Sequence, residues 1–464
     1  MKYISTRGDA PTLGFKDTVL AGLAGDGGLY LPETYPQISM EAIRSMRGKS
    51  YADIAKEVMW PFTGGEIDRG VFEQIVDDAY ATFRHKAVCP LVQIDSNMFV
   101  MELFHGPTLA FKDVAMQLIA RLMDHILTER DARATIVGAT SGDTGGAAID
   151  AFANRDRTDM FILFPQGRVS PVQQRQMTSN PAKNIHALAI DGNFDDCQAL
   201  VKAMFNHRSF RDDVQLSGVN SINWARIMAQ IVYYFSAAAS LGAPDRKVSF
   251  CVPTGNFGDI FAGYVAKQMG LPIESLVIAT NDNDILARTL ETGTYEKRGV
   301  VKTSSPSMDI QISSNFERLL FEAYERDAVA VRNAMESLKQ QGSFTIAPKP
   351  LADIRGSFAA GRCDVDQVAD EISNAKAHSD YLLDPHTATA VHVGREKANK
   401  EVPMIVLGTA HPAKFPDAVK AASGIYPALP AWLGDLMERD EHFIPLSNDQ
   451  KMVEEHIYDN TRAA

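Results

Sequence analysis

The sequence predicts an α/β protein in which parallel sheets are covered by helices on both faces. Three apolar, strand-length runs carry this reading, because each ends in a turn rich in glycine or hydroxyl residues: 134–139 before Thr140-Ser141-Gly142-Asp143-Thr144-Gly145-Gly146, 248–252 before Pro253-Thr254-Gly255-Asn256-Phe257-Gly258-Asp259, and 403–407 before Gly408-Thr409-Ala410-His411-Pro412. Helical patterns follow the first two turns. Strands alternating with helices build parallel sheets. Ligands in such sheets gather beyond the carboxyl ends of the strands, where all three turns fall.

In chain order, residues up to about 86 predict a mainly helical region. Apolar side chains recur at three-to-four spacing over 15–23, 51–60 and 71–83, punctuated by Gly25-Asp26-Gly27-Gly28, Pro32, Pro36 and Gly64-Gly65. An apolar helix over 114–127 follows. Further strands are expected at 160–164, 185–190 and 276–279. Residues 227–243 form the most apolar long run; Gln230 and Ser236 interrupt it, and it is short for a membrane span, so a buried helix is expected.

Bulk composition narrows the function classes. At 464 residues, with 45% hydrophobic and 22% charged residues, the chain suits a globular protein of two or three domains. A net charge of −12 argues against the basic footprint that nucleic-acid binding requires. Cys89, Cys197, Cys251 and Cys363 are far apart and form no C-x-x-C pair, so free thiols in a reducing cytosol are expected, with no metal site. The opening residues lack the apolar core of a signal peptide.

The chemistry concentrates in a few turns. Phe104-His105-Gly106-Pro107-Thr108-Leu109-Ala110-Phe111-Lys112-Asp113 delivers one lysine to a helix start. There the positive end of the helix dipole disfavours the ammonium form, and a neutral amine is what condensation with a carbonyl requires. A solvated surface lysine is the alternative. The two glycines of the Thr254–Asp259 turn permit positive φ and close backbone approach, which suits a phosphate monoester at a helix N-terminus; an ordinary βα turn reads equally well. Thr140, Ser141 and Thr144 add hydroxyls suited to a carboxylate, unless Ser141 or Asp143 is a helix cap. Asn220 and Ser221 read as a cap for the apolar helix. Arg226, about one turn on, offers a second anion site or is a surface arginine. Thr409 offers a hydroxyl to a ring nitrogen, and His411 reads as an acid–base group or a structural hydrogen-bonder. Asp384-Pro385-His386-Thr387 and Asp309-Ile310-Gln311 are polar turns to which spacing assigns no role. No G-x-x-x-x-G-K-[S/T] loop and no dinucleotide fingerprint occur.

Together, a helix-start lysine, two phosphate-type turns and a carboxylate-type turn fit pyridoxal phosphate chemistry on a phosphorylated amino acid. The strings F-H-G-P-T-x-A-F-K-D, T-S-G-D-T-G, N-S-I-N-W-x-R and G-N-F-G-D, with the Y-x-S-T-R-G opening, run in order along nearly the whole chain, and the sequence resembles the threonine synthase family. That resemblance implies a fold-type II pyridoxal phosphate enzyme of the tryptophan synthase β-like kind, acting on O-phospho-L-homoserine. The nearest rival within the fold is a phospho-lyase giving 2-oxobutyrate.

The resemblance also implies site roles. Lys112 matches the Schiff-base lysine, Thr254, Gly255, Asn256, Phe257, Gly258 and Asp259 the cofactor-phosphate turn, and Thr409 the partner of the pyridine nitrogen. Thr140, Ser141, Gly142 and Thr144 match the carboxylate loop, and Asn220, Ser221 and Arg226 the grip on the substrate phosphate. Asp143 stands where asparagine commonly faces the cofactor's phenolic oxygen, and two anionic oxygens there would repel. The expected division is an N-terminal helical domain (1–95), a large cofactor domain (96–130 with 245–464) and a small closing domain (131–244). The protein is expected to be a cytoplasmic monomer or homodimer without membrane or nucleic-acid partners.

Overall fold

The computed structural model describes residues 1–464. A six-stranded sheet runs in the order Phe358–Arg362, Ile273–Thr280, Val248–Pro253, Met404–Gly408, Met98–Glu102, Leu91–Asp95. Its strands are parallel except for the last, Leu91–Asp95, which forms an antiparallel hairpin with Met98–Glu102. A five-stranded sheet, wholly parallel, runs Ile444–Ser447, Ile185–Asp191, Thr158–Pro165, Ala134–Ala139, Leu216–Ser217. Every residue of Thr158–Pro165 and Val248–Pro253 is buried, the continuous apolar pattern of strands covered on both faces.

All six expected strands form. The hairpin at 91–102 and the edge strands Phe358–Arg362 and Ile444–Ser447 were not among them. The two edge strands are short and only partly buried, so they carry little apolar pattern.

The helix Trp224–Ser240 is buried except at its two serines, Ser236 and Ser240, which explains its near-unbroken apolar run. It packs on Tyr51–Met59, Lys112–Glu129 and Gly258–Gln268, and so belongs with the larger sheet rather than the smaller one, where the expected division had placed it.

Two further parts of that division differ from the packing. The N-terminal helices Phe15–Ala21, Tyr51–Met59 and Arg69–Tyr80 share one continuous apolar core with Lys112–Glu129 and the larger sheet, and therefore do not form a separate body. The C-terminal segment returns to the smaller sheet: Ile444–Ser447 pairs with Ile185–Asp191, and Val453 and Ile457 of Gln450–Asn460 enter the core around Leu188 and Leu200. The carboxyl ends of both sheets' strands face the region described next.

Candidate active site

Lys112 is placed by a short zipper between two turns. Ala110 bridges Ala410, the Phe111 N–H donates to the Thr409 carbonyl at 2.9 Å, and the His411 N–H donates to the Leu109 carbonyl at 3.0 Å. The lysine that emerges as the first residue of Lys112–Glu129 thus lies beside the end of Met404–Gly408. Its side chain is buried, and its one ionic neighbour is Asp143 Oδ2 at 3.8 Å. Burial lowers its pKa to about 8, with Asp143 opposing and Arg226 and Lys414 assisting. A free amine is accessible close to neutral pH.

The turn after Ala134–Ala139 is held from within. Thr140 Oγ1 accepts the N–H groups of Gly142 and Gly145, each at 2.9 Å, so Thr140 organises the turn and neither Ser141 nor Asp143 acts as the cap. Gly142 sits at φ +142°, with Gln173 filling the space a Cβ would need. Ser141 is exposed and Thr144 half-buried, which leaves their hydroxyls free to face a ligand.

Asp143 has a buried cation that the sequence reading did not identify. Lys414 Nζ lies 2.9 Å from Asp143 Oδ1 and also donates to the Thr108 carbonyl and Gln176 Oε1; Gln173 Nε2 donates to Asp143 Oδ1 at 2.9 Å. Burial alone would raise the Asp143 carboxyl, but Lys414 and Lys112, helped by Gln173, hold it well below the usual carboxylate range. The repulsion expected of an aspartate here is therefore offset by Lys414. No motif marks Lys414 in the sequence; only its place in the turn after the last central strand hints at a role.

In the Thr254–Asp259 turn the left-handed residue is Phe257, at φ +65°, and not either glycine. Its ring is locked edge-on against Phe316 and tilted against Phe358. Gly255 is required by close approach: a Cβ there would lie 2.7 Å from the Ser307 carbonyl. The helix Gly258–Gln268 has no side chain capping it from Phe257; Asp259 Oδ1 accepts the Ile260 N–H at 2.9 Å, and the Gly258 and Asp259 N–H groups remain free for an anion. The Thr254 hydroxyl donates to the Val252 carbonyl at 2.7 Å, and Asp259 is buried, its carboxyl raised to about 6 by desolvation.

The cap of Trp224–Ser240 is Asn223, whose Oδ1 accepts from Ala225, rather than Asn220 or Ser221. Asn220 is exposed and Ser221 partly so. Arg226 is not a surface residue: it is 3% exposed, its Nη1 donates to the Val219 carbonyl at 3.2 Å, and its Nε has no partner. A buried guanidinium with an open donor is a site for an added anion.

Thr409 is buried, and its N–H donates to Thr387 Oγ1 at 3.3 Å. Thr387 in turn is held by Asp384, which also receives His386 Nδ1 at 2.9 Å; the polar turn without an assigned role is a brace behind Thr409. His411 accepts the Ala413 N–H at Nδ1, and burial lowers its pKa to about 4, so it is a neutral structural hydrogen-bonder on the turn that carries Lys414. No group of three or more His, Cys, Asp or Glu is placed to hold a metal ion, and no helix is long and apolar enough to cross a membrane.

A buried lysine heading a helix, an uncapped turn at the end of a parallel strand and a sheltered hydroxyl on the neighbouring strand define a pyridoxal-phosphate-dependent enzyme of fold type II; the family described as pyridoxal-phosphate dependent enzyme matches residues 87–343. The flanking regions narrow this, with the threonine synthase N terminus matching residues 2–80 and the threonine synthase C-terminal region residues 387–457. The chain belongs to the threonine synthase family. It is 51% identical to the threonine synthase of Pseudomonas aeruginosa over 98% of both chains. A crystal structure of pyridoxal-phosphate-bound threonine synthase from Brucella melitensis superposes over 100% of both chains, with a TM-score of 0.98 and 69% identity. The yeast enzyme does so with a TM-score of 0.94 and 39% identity, over 99% of this chain and 98% of its own.

Proposed function

We propose that this chain converts O-phospho-L-homoserine and water to L-threonine and phosphate by a β,γ-replacement, as a cytoplasmic enzyme acting on a small molecule. One observation carries the substrate class: a buried lysine lies within electrostatic reach of Asp259, which directly follows the uncapped 255–258 turn, and of the Arg226 guanidinium, whose Nε has no partner, two places able to receive an anion. One phosphate belongs to the cofactor. The other belongs to the substrate.

The residues present fit pyridoxal phosphate. Lys112 supplies the amine that tethers its aldehyde, Gly255, Asn256, Phe257 and Gly258 supply N–H groups for its phosphate, and Thr409, braced by Thr387, supplies a hydroxyl for its ring nitrogen. When bound, the cofactor supplies a conjugated, electron-accepting ring that stabilises negative charge on the substrate's carbons.

The protein's own groups do the rest. Thr140, Ser141, Gly142 and Thr144 form the loop for the substrate carboxylate at the start of Asp143–Phe152: the Ser141 and Thr144 hydroxyls face it, while the Gly142 N–H, tied to Thr140 Oγ1, shapes the turn. Arg226, with Ser221 and Asn220, holds the γ-phosphate and bears its charge as it leaves. Lys112, with a pKa of about 8, takes the proton from Cα and then one from Cβ as general base, the second loss expelling the γ-phosphate. As acid it returns protons to Cγ and, after water has added at Cβ, to Cα. Asp143, anchored by Lys414 and Gln173, stabilises the ammonium form of Lys112 during those transfers.

The test is to incubate the cofactor-loaded protein with O-phospho-L-homoserine and to quantify phosphate, threonine and 2-oxobutyrate together. Threonine equal to phosphate is expected. Phosphate accompanied by 2-oxobutyrate and no threonine would replace the synthase reading with the phospho-lyase.

A further inference from the structure

The turns at Asn256 and Ser221 are far apart in sequence, yet one buried side chain holds both. Asn315 is fully buried, and its Nδ2 donates to the Ser221 carbonyl at 3.1 Å and to the Asn256 carbonyl at 2.9 Å. Its backbone N–H adds a second bond to the Asn256 carbonyl at 3.0 Å. The amide orientation is determined by chemistry: Oδ1 accepts from Arg318 Nη1, and a guanidinium can only donate, so the NH2 must face the two carbonyls.

Arg318, also fully buried, is itself fixed. Its Nη2 donates to the Ile222 carbonyl at 2.6 Å and to the Tyr30 carbonyl at 2.7 Å, and its Nε to Tyr30 at 3.0 Å. Ser313 Oγ completes the set by donating to the Gly255 carbonyl at 2.6 Å. The Gly255, Asn256, Ser221 and Ile222 carbonyls are thus all drawn toward one side, by donors from Ser313, Asn315 and Arg318. A peptide whose carbonyl is drawn one way directs the following N–H the other way. The N–H groups of both turns are therefore turned away from this hub.

We propose that Asn315, oriented by Arg318, is a positioning residue that fixes the two anion-binding turns relative to each other, so that the cofactor phosphate and the substrate phosphate are held by one rigid frame. This rests on the assignment of the 255–258 and 220–226 turns to those two phosphates. Asn315 touches neither ligand. Its effect is on where the turns stand.

The test compares Asn315→Asp with the wild type. Aspartate keeps the shape and pairs with Arg318 but cannot donate to either carbonyl. Asn315→Ala, followed by thermal melting, is the control for stability. Three quantities are read: pyridoxal phosphate affinity of the apoprotein, KM against kcat for O-phospho-L-homoserine, and affinity for L-threonine, which has no phosphate. The 31P resonance of the bound cofactor gives a readout independent of turnover. The expected result for Asn315→Asp is a fall of about tenfold in cofactor affinity and a rise of about tenfold in KM, each equivalent to about 1.4 kcal/mol. The 31P resonance should shift, and threonine affinity should change less than about twofold, within ordinary scatter. Loss confined to one phosphate, or an equal loss for threonine, would overturn the proposal. Arg226→Met is run alongside. If it leaves the KM for the phosphorylated substrate unchanged, the turn assignment is wrong; if it raises KM while both Asn315 variants do not, the assignment stands and the Asn315 proposal fails.

Discussion

At the scale of single residues, the site sets cations against burial. Lys112 has an ordinary lysine pKa when unfolded but about 8 when folded, so the folded apoprotein binds fewer protons between these values. The resulting penalty on stability is full below about pH 8 and fades as pH rises toward the unfolded value. Lys112→Met in the apoprotein is expected to be more stable than wild type at pH 7, by about 1–3 kcal/mol, with the gap narrowing toward pH 10. Urea denaturation across that range checks it, and a gap that widens with pH would reverse the sign. Lys414 and Asp143 form the opposite case, a buried pair. Lys414→Met should destabilise by about 3–5 kcal/mol, and adding Asp143→Asn should recover most of that loss, which a double-mutant cycle measures. Lys112 was legible because a Gly-Pro turn and an apolar helix mark it. Lys414 was not, because its role comes from a contact across 271 positions of chain to Asp143, which no local pattern encodes.

At the scale of elements, the turns were found but their internal geometry was not. Glycines in Thr254–Asp259 suggested left-handed backbone, whereas the structure places that conformation on Phe257, which aromatic packing against Phe316 and Phe358 holds in place. Gly255 serves instead to let the Ser307 carbonyl approach. Gly255→Ala should therefore push the turn away from Ser307 and weaken cofactor binding by about tenfold or more, as an overpacking strain of about 1–3 kcal/mol implies. Titration of the apoprotein with pyridoxal phosphate measures this, and unchanged affinity would show that the turn is looser than its contacts indicate. Caps were misplaced for a related reason: Asn220, Ser221 and Asn223 are all good capping residues, and only the three-dimensional path selects Asn223.

At the scale of the whole molecule, the strand–turn–helix rhythm was enough to predict parallel sheets covered on both faces, because buried parallel strands carry long apolar runs, while their division into two units rested on the family resemblance. Their membership was harder to read. The chain passes from the larger sheet to the smaller and back, then returns to the smaller through a four-residue strand whose side chains are mostly exposed. The N-terminal region also merges into the common core instead of standing apart, with Arg7 and Thr6 bound to Glu317 next to the Asn315–Arg318 hub. The result is a site whose turns come from both sheets. The measurement that tests this account most directly is a crystal structure of the cofactor-loaded protein with a phosphonate analogue of O-phospho-L-homoserine. The account predicts the cofactor with its phosphate on the 255–258 turn and its aldehyde carbon joined to the analogue's amine, Lys112 freed beside it, and the phosphonate on Arg226 and Ser221. A phosphonate seated elsewhere, with the Arg226 guanidinium still without an anion, would contradict it.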